Sequence, residues 1–324
     1  MVLSSDAGST PAISTINALP HRGRAFLLWD GLPAAPDTLS GTAMTQTISF
    51  TKASGAGNDF VLVDNMRNTL RVDYAALARA VCDRHFGIGG DGLLVAEPST
   101  QADFRMLYFN ADGSSGGMCG NGGRCLARFA FELRIAGAAL RFEALGHIYD
   151  ALVGDHSVRL HMKDPDRFAP YPALAIAGLS RDAWYIDTGA PHVVVPVTDP
   201  GHMDIRKEGR AVREHPAFAP EGANANFMSR EAAGGIGLRT YERGVEDETL
   251  ACGTGSVAAA LVASHLYGFP SPVPVRVRSG ETLTVHFAGS AGAWRDVYLE
   301  GSARMLFRGT FLFDTDSRTI AQAP

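Results

Sequence analysis

Met118–Leu133 reads MCGNGGRCLARFAFEL, and Ala251–Leu266 reads ACGTGSVAAALVASHL. Laid on one another at a spacing of 133 residues (252 minus 119), the two stretches pair Cys119 with Cys252, Gly120 with Gly253, Gly122 with Gly255, Ala127 with Ala260, Ala130 with Ala263 and Leu133 with Leu266, without a gap. Carried backwards in the same register, Tyr108 falls on Tyr241 and Asn110 on Arg243, so each cysteine follows a strand-like run at the same distance. The chain therefore reads as an internal duplication.

A Cys-Gly-x-Gly turn followed by a small, apolar, proline-free run predicts a helix whose first turn carries the cysteine and whose first amides are uncovered. Such an end favours anions through its dipole and its free N–H groups. Two expectations follow: the thiol is biased towards thiolate, and the glycines let a carboxylate lie against the backbone without meeting a Cβ. Two such ends facing one site would hold a carboxylate between two cysteines. With one thiol as acid and one thiolate as base on opposite sides of a carbon, a proton is removed from one face and returned to the other, which inverts the centre without a cofactor. Free cysteine is also a common core residue; the retention of both in glycine turns is what favours chemistry at Cys119 and Cys252. Cys82 and Cys125 lie among apolar helix neighbours and read as core.

With 324 residues and 46% hydrophobic content the chain has room for two domains of ordinary size. A net charge of -5 gives no reason to expect nucleic acid or a membrane surface as partner. Four cysteines are too few for a disulfide scaffold of this length, which fits a reducing cytoplasm. No run of about 18 apolar residues exists to span a membrane. No His-x-x-x-His or Cys-x-x-Cys spacing suggests a metal.

Residues 1–45, rich in Ser, Thr, Ala, Gly and Pro, are expected to be a disordered extension, with Met44 as an alternative start. From Ile48 onward the pattern predicts many short strands with two or three helices. Strands are expected at Ile48–Lys52, Phe60–Asp64, Leu93–Glu97, Asp103–Asn110, Leu140–Ala144, Ile148–Val153 and Val158–Met162, with a helix at Tyr74–Asp83. After a break at Lys163-Asp164-Pro165 they resume at Trp184–Asp187, His192–Val197, Ala225–Met228, Ile236–Arg243, Val273–Arg278, Thr282–Phe287, Val297–Glu300 and Ala303–Phe313. Each half is then mostly β with one long apolar helix, an α+β fold.

Several runs resemble the diaminopimelate epimerase family in order and spacing. They are Gly55-Ala56-Gly57-Asn58-Asp59-Phe60, Arg84-His85-Phe86-Gly87-Ile88-Gly89-Gly90-Asp91-Gly92, Asn110-Ala111-Asp112-Gly113, Met118–Cys125, Gly222-Ala223-Asn224, and Tyr241-Glu242-Arg243-Gly244 with Ala251–Gly255. The resemblance covers Ile48 to Phe313. It implies two pseudo-symmetric domains, each a mainly antiparallel, β-barrel-like sheet wrapped around a central helix, with boundaries expected at 46–163 plus 307–324 and at 164–306. It implies interconversion of LL- and meso-diaminopimelate without pyridoxal phosphate, other cofactor or metal, with Cys119 and Cys252 as the thiol pair. Carried over by position, Gly120, Asn121, Gly253 and Thr254 supply amides to the carboxylate at the reacting carbon. Asn58, Asn110, Asn224, Glu242 and Arg243 form the substrate recognition set, and His192 supports the site. The implied partner is a small molecule; a homodimer is left open.

Three positions depart from the family pattern. Ala190 stands where an asparagine is usual, Val245–Thr249 is one residue longer, and Gly92 replaces a glutamine. The alternatives are another isomerase of the same fold acting on proline or hydroxyproline, and a module that binds an amino acid without turning it over. A proline ring has no second charged end to engage Arg243 and the asparagines, which weighs against the first. His85 reads as structural.

Overall fold

The computed structural model describes residues 45–290 and 292–321, so the expected extension lies outside the described residues except for Thr45, which opens the first strand. The elements of the first half are β1 (Thr45–Gly55), β2 (Asn58–Asp64), α1 (Tyr74–Cys82), β3 (Gly92–Glu97), β4 (Phe104–Asn110), α2 (Gly120–Glu132), β5 (Ala139–Ala144), β6 (His147–Val153) and β7 (Ser157–His161). The second half follows with β8 (Arg167–Ile176), β9 (Leu179–Asp187), β10 (Pro191–Pro196), α3 (Ile205–Arg213), β11 (Asn224–Arg230), β12 (Ile236–Glu242), β13 (Asp247–Thr249), α4 (Gly253–Tyr267), β14 (Val273–Arg276), β15 (Thr282–Ala288) and β16 (Arg295–Ser302). Then come β17 (Arg304–Asp314) and β18 (Thr319–Ala321).

The duplication is visible in the pairing. Along β17-β1-β2-β3-β4-β5-β6-β7 the steps β2–β3 and β4–β5 are parallel and the others antiparallel. Along β8-β9-β10-β11-β12-β14-β15-β16 the parallel steps are β10–β11 and β12–β14, in the same places. Each parallel step is the one bridged by a helix, as a crossover requires. The two runs meet where β7 pairs with β16, Leu160 opposite Leu299.

The long helices present mostly small or apolar residues and each is enclosed by its sheet, α2 with Arg124 and Arg128 buried as well. On α2, Gly120 to Ala130 are all buried; on α4, Val257 to Ala263 are. Both contribute to one core with Phe104, Phe142, Leu160 and Leu299. The shorter helices cover the other faces: α1 buries Leu77 and Val81 with Val61 and Phe313, and α3 buries Ile205 and Val212 with Phe227 and Tyr241.

Four α-helices and a short 3-10 helix at Pro216–Phe218 are present among the described residues, and α3, the 3-10 turn, β8, β13 and β18 were not anticipated. In α3 the inward stripe is only Ile205, Gly209 and Val212, and the glycine is there for space: a Cβ on Gly209 would stand 2.3 Å from the Cβ of Tyr241. Strand β8 carries Pro170 and Pro172, which argue against a strand by pattern yet are tolerated at the end of a pairing order.

The ungapped register of the two copies does not extend into the strands before the cysteines. Gly92 pairs with both Phe60 and Asn110, while Asn224 pairs with His192 and Ala225 pairs with Tyr241. Asn110 therefore corresponds to Glu242, not Arg243, and a one-residue shift turns every side chain to the opposite face. Accordingly Tyr108 packs towards α2, whereas Tyr241 packs towards α3. The additional residue falls between β12 and α4, in the longer segment Val245–Thr249.

Candidate active site

Cys119 and Cys252 are the N-cap residues of α2 and α4, with nearly equal backbone angles, φ -104° and ψ 112° against φ -109° and ψ 117°. Both are free thiols. The Gly122 amide donates to the Cys119 sulfur at 3.4 Å, and the Thr254 hydroxyl lies 3.6 Å from the Cys252 sulfur. The helix ends abut: a Cβ on Gly253 would stand 3.7 Å from the Gly120 Cα. Asn121 on α2 donates to the carbonyl of Ala251, the residue before Cys252, at 3.2 Å. Leu299 of β16 lies beneath both glycines, 3.5 Å and 3.0 Å from the positions a Cβ would take on Gly120 and Gly253.

The expected bias towards thiolate is not what this environment produces. Burial pushes the Cys119 thiol up, the Gly122 amide opposes it, and the Glu242 carboxylate adds to the rise. Burial, then Glu242, push Cys252 up as well, with the Thr254 hydroxyl and the Gly255 amide acting in the opposite direction. The helix-end effect is present, but loss of water and a nearby carboxylate outweigh it. Glu242 is itself raised by burial, against bonds from Thr249 and from the Cys252 thiol, which is within hydrogen-bonding reach. The Thr249 hydroxyl donates to Glu242 Oε2 at 3.0 Å.

The residues expected to recognise substrate sit at or beside strand ends. Asn58 at the start of β2 accepts from Asn121 Nδ2 at 2.6 Å and donates to Asp91 at 3.0 Å. Asn224 at the start of β11 is buried; it donates to the Pro191 carbonyl at 2.9 Å and accepts from the Arg243 amide at 2.8 Å. The Arg243 guanidinium bonds the Glu221 carbonyl at 3.3 Å. Asn110 ends β4 as Glu242 ends β12, and its amide donates to Ser114 Oγ at 2.9 Å; no described contact joins it to the other site residues. The Thr254 carbonyl accepts from Thr188 at 3.0 Å, which fixes the first turn of α4.

His192 is completely buried, and Asn226 Nδ2 stands 3.1 Å from its Nδ1. Asn226 Oδ1 accepts from Thr240 at 3.0 Å, so its Nδ2 faces the histidine, Nδ1 is the acceptor and the proton is on Nε2. Burial, and then the charge of Arg243, lower His192 to about 3. Cys82 and Cys125 are in the cores.

Two of the three departures from the family pattern have a local explanation. A Cβ at Gly92 would stand 2.5 Å from Tyr108 Cε2 and 2.6 Å from the Phe109 carbonyl, so the Tyr108 ring fills the place of a larger side chain. In the longer segment Glu246 pairs with Arg213, Asp247 with Arg206 and Glu248 with Arg239. Nothing in the structure explains Ala190. Sequence reading missed Thr249, Asn226, Asp91 and Arg124, all of which bond to a site residue or its support. Asn226 had a usable signal, since it shares a face of β11 with Asn224 two residues away.

Among the described residues no helix is long and apolar enough to cross a membrane. The family model described as diaminopimelate epimerase matches residues 50–162 and 184–306. A diaminopimelate epimerase of Chlorobaculum tepidum is 46% identical over 264 residues, covering 79% of this chain and 98% of the relative. Those of Aquifex aeolicus and Archaeoglobus fulgidus are 41% and 40% identical, covering 81% of this chain and 97% and 95% of the relatives. Among solved structures, a Bacillus anthracis phenazine biosynthesis protein of the PhzF family aligns with TM-score 0.62 at 16% identity, covering 82% of this chain and 99% of that one. An Agrobacterium vitis hydroxyproline epimerase aligns with TM-score 0.61 at 15% identity, covering 84% and 94%, and these two establish a shared fold. With the family match spanning both copies of the repeat, and with relatives aligned over nearly their whole length, the chain belongs to the diaminopimelate epimerase family.

Proposed function

We propose that this chain interconverts LL- and meso-2,6-diaminopimelate, an isomerase step of lysine biosynthesis, and that Cys119 and Cys252 are the two bases. The observation that carries the mechanism is the abutting pair of helix ends, each capped by a free cysteine. The reacting carboxylate lies against Gly120, Asn121, Gly253 and Thr254, whose amides stabilise the enediolate charge as it forms. One cysteine, as thiolate, takes the proton from Cα, and the electron pair moves into the carboxylate. The opposite thiol returns its own proton to the other face and becomes the thiolate, so the enzyme ends with the two protonation states exchanged.

In the free site burial and Glu242 hold both thiols up, so the reactive thiolate has to be favoured by the substrate. Its α-ammonium brings a cation beside the sulfurs, which favours the anion. Arg243 forks onto the distal carboxylate, while Glu242, Asn58, Asn110 and Asn224 serve the ammonium groups. His192, neutral and buried, supports the wall behind Asn224. We assign residues 46–163 with 307–324 to one domain and 164–306 to the other, and place the protein in the cytoplasm. The proline-type alternative is not favoured, because relatives that cover nearly their full length are diaminopimelate epimerases.

The test separates turnover from binding alone. Cys119→Ser/Cys252→Ser is titrated with LL-diaminopimelate by calorimetry, and Cα exchange is followed in wild type and variant. Binding retained with exchange lost supports two-thiol catalysis; wild type that binds without exchanging would sink it in favour of a binding module.

A further inference from the structure

Asp91 precedes β3 in the glycine-rich loop after α1. Its Oδ1 accepts from Arg84 at 2.8 Å, and its Oδ2 accepts from Asn58 Nδ2 at 3.0 Å and from the Asp59 amide at 3.2 Å. A carboxylate only accepts, so Asn58 must direct its Nδ2 to Asp91 and its Oδ1 away. That oxygen receives Asn121 Nδ2 at 2.6 Å. At the far end Arg124, which only donates, gives Nη2 to Asn121 Oδ1 at 2.8 Å and Nη1 to the Gly120 carbonyl at 3.3 Å.

The polarity of the Asn58–Asn121 amide pair is thus set from both ends. Its product is the remaining Asn121 proton, directed at the Ala251 carbonyl, which joins the first turn of α2 to the residue before Cys252. Arg124 is completely buried, and its Nε finds no hydrogen-bond partner among the described residues. Burying a guanidinium with one donor unmet is unfavourable, and a hydrophobic side chain of similar volume would fill that space more stably.

We propose that Asp91 and Arg124 are positioning residues for the thiol pair: one acceptor-only and one donor-only group lock the two amides in the single orientation that ties the two helix ends together. This rests on the two-thiol reading above. Neither residue touches the substrate; they act through Asn58 and Asn121.

The test uses substrate-free alkylation of Cys252 by iodoacetamide, mapped by mass spectrometry, alongside turnover. Asp91→Asn places an amide where Arg84 and Asn58 both need an acceptor, and Arg124→Met leaves Asn121 Oδ1 without its donor. Each is expected to speed Cys252 alkylation about tenfold and to lower kcat about tenfold with KM little changed, as loss of positioning rather than of binding requires. In Asn58→Asp/Asp91→Asn the acceptor and donor are exchanged and the net charge is kept; the link on to Asn121 forms again while the Asp59 amide loses its acceptor, so alkylation should return part of the way to wild type. Alkylation in the single variants equal to wild type, or a double variant as fast as Asp91→Asn, overturns the proposal. If Asp91→Asn does not fold, Arg124→Met alone decides by the same readouts. Wild type that turns over no diaminopimelate would defeat the functional reading, while the alkylation comparison would still decide this one.

Discussion

Gly120 and Gly253 come so close that a Cβ on the second would stand 3.7 Å from the Cα of the first. Neither has a positive φ; an added Cβ would meet the tip of Leu299 at 3.5 Å from Gly120 and at 3.0 Å from Gly253, the second tighter than an ordinary contact. The absent side chains let the two helix ends meet over Leu299.

Gly120→Ala and Gly253→Ala should therefore separate function from fold. Alanine favours a helix over glycine by up to about 1 kcal/mol, so the melting temperature should hold in Gly120→Ala, while in Gly253→Ala the contact with Leu299 offsets that gain. The methyl group pushes apart the two helix ends whose amides cradle the proposed carboxylate, and kcat/KM should fall about a hundredfold, the scale of losing an oxyanion donor. Thermal melts and steady-state kinetics check both halves; normal activity in both variants would remove the cradle.

Glu242 contributes to holding both thiols up, second only to burial at Cys252. Glu242→Gln removes that negative charge, so both thiols should ionise at lower pH. Alkylation rates measured against pH should show the Cys252 profile moved to lower pH than in wild type. A profile that stays in place or moves up contradicts the electrostatic account of the site.

His192 should make the fold sensitive to acid. The unfolded histidine takes a proton near 6.5, whereas the buried one resists until about 3. Between those values the unfolded state binds more protons, so the histidine's contribution is complete above 6.5 and is lost as pH falls towards 3. A titration followed by NMR should find the His192 ring neutral well below pH 6; protonation near 6.5 in the folded protein would contradict it.

The helix at Cys252 was legible because its small apolar residues leave no polar face; the helix at Cys119 carries Arg124, Arg128 and Glu132 along one stripe and was legible through its glycine turn and its match to the second copy. Most strands were legible because runs such as Leu93–Ala96 and Val193–Val195 are apolar throughout. Helix α3 was not, since one of its three inward residues is a glycine chosen to fit Tyr241. The strand register was missed because side chains alternate, and one residue taken up between Glu242 and Cys252 exchanges the faces of everything before it. Cysteine spacing and glycine turns pointed to the site itself. The thiol ionisation was misjudged because sequence displays the helix end and not the burial or the carboxylate folded against it. Asp91 and Arg124 were unreadable for a similar reason: an aspartate in a glycine loop looks like a turn residue, and an arginine one turn into a helix looks exposed.

The most direct measurement is incubation of the protein with LL-diaminopimelate in heavy water without added cofactor, following Cα deuteration and the ratio of LL to meso isomer together. Two-thiol epimerisation predicts deuterium at Cα in step with formation of the meso isomer. An unchanged ratio with no deuterium incorporated, from folded protein with both thiols reduced, would contradict it; exchange with proline or hydroxyproline instead would keep the thiol pair and change the substrate.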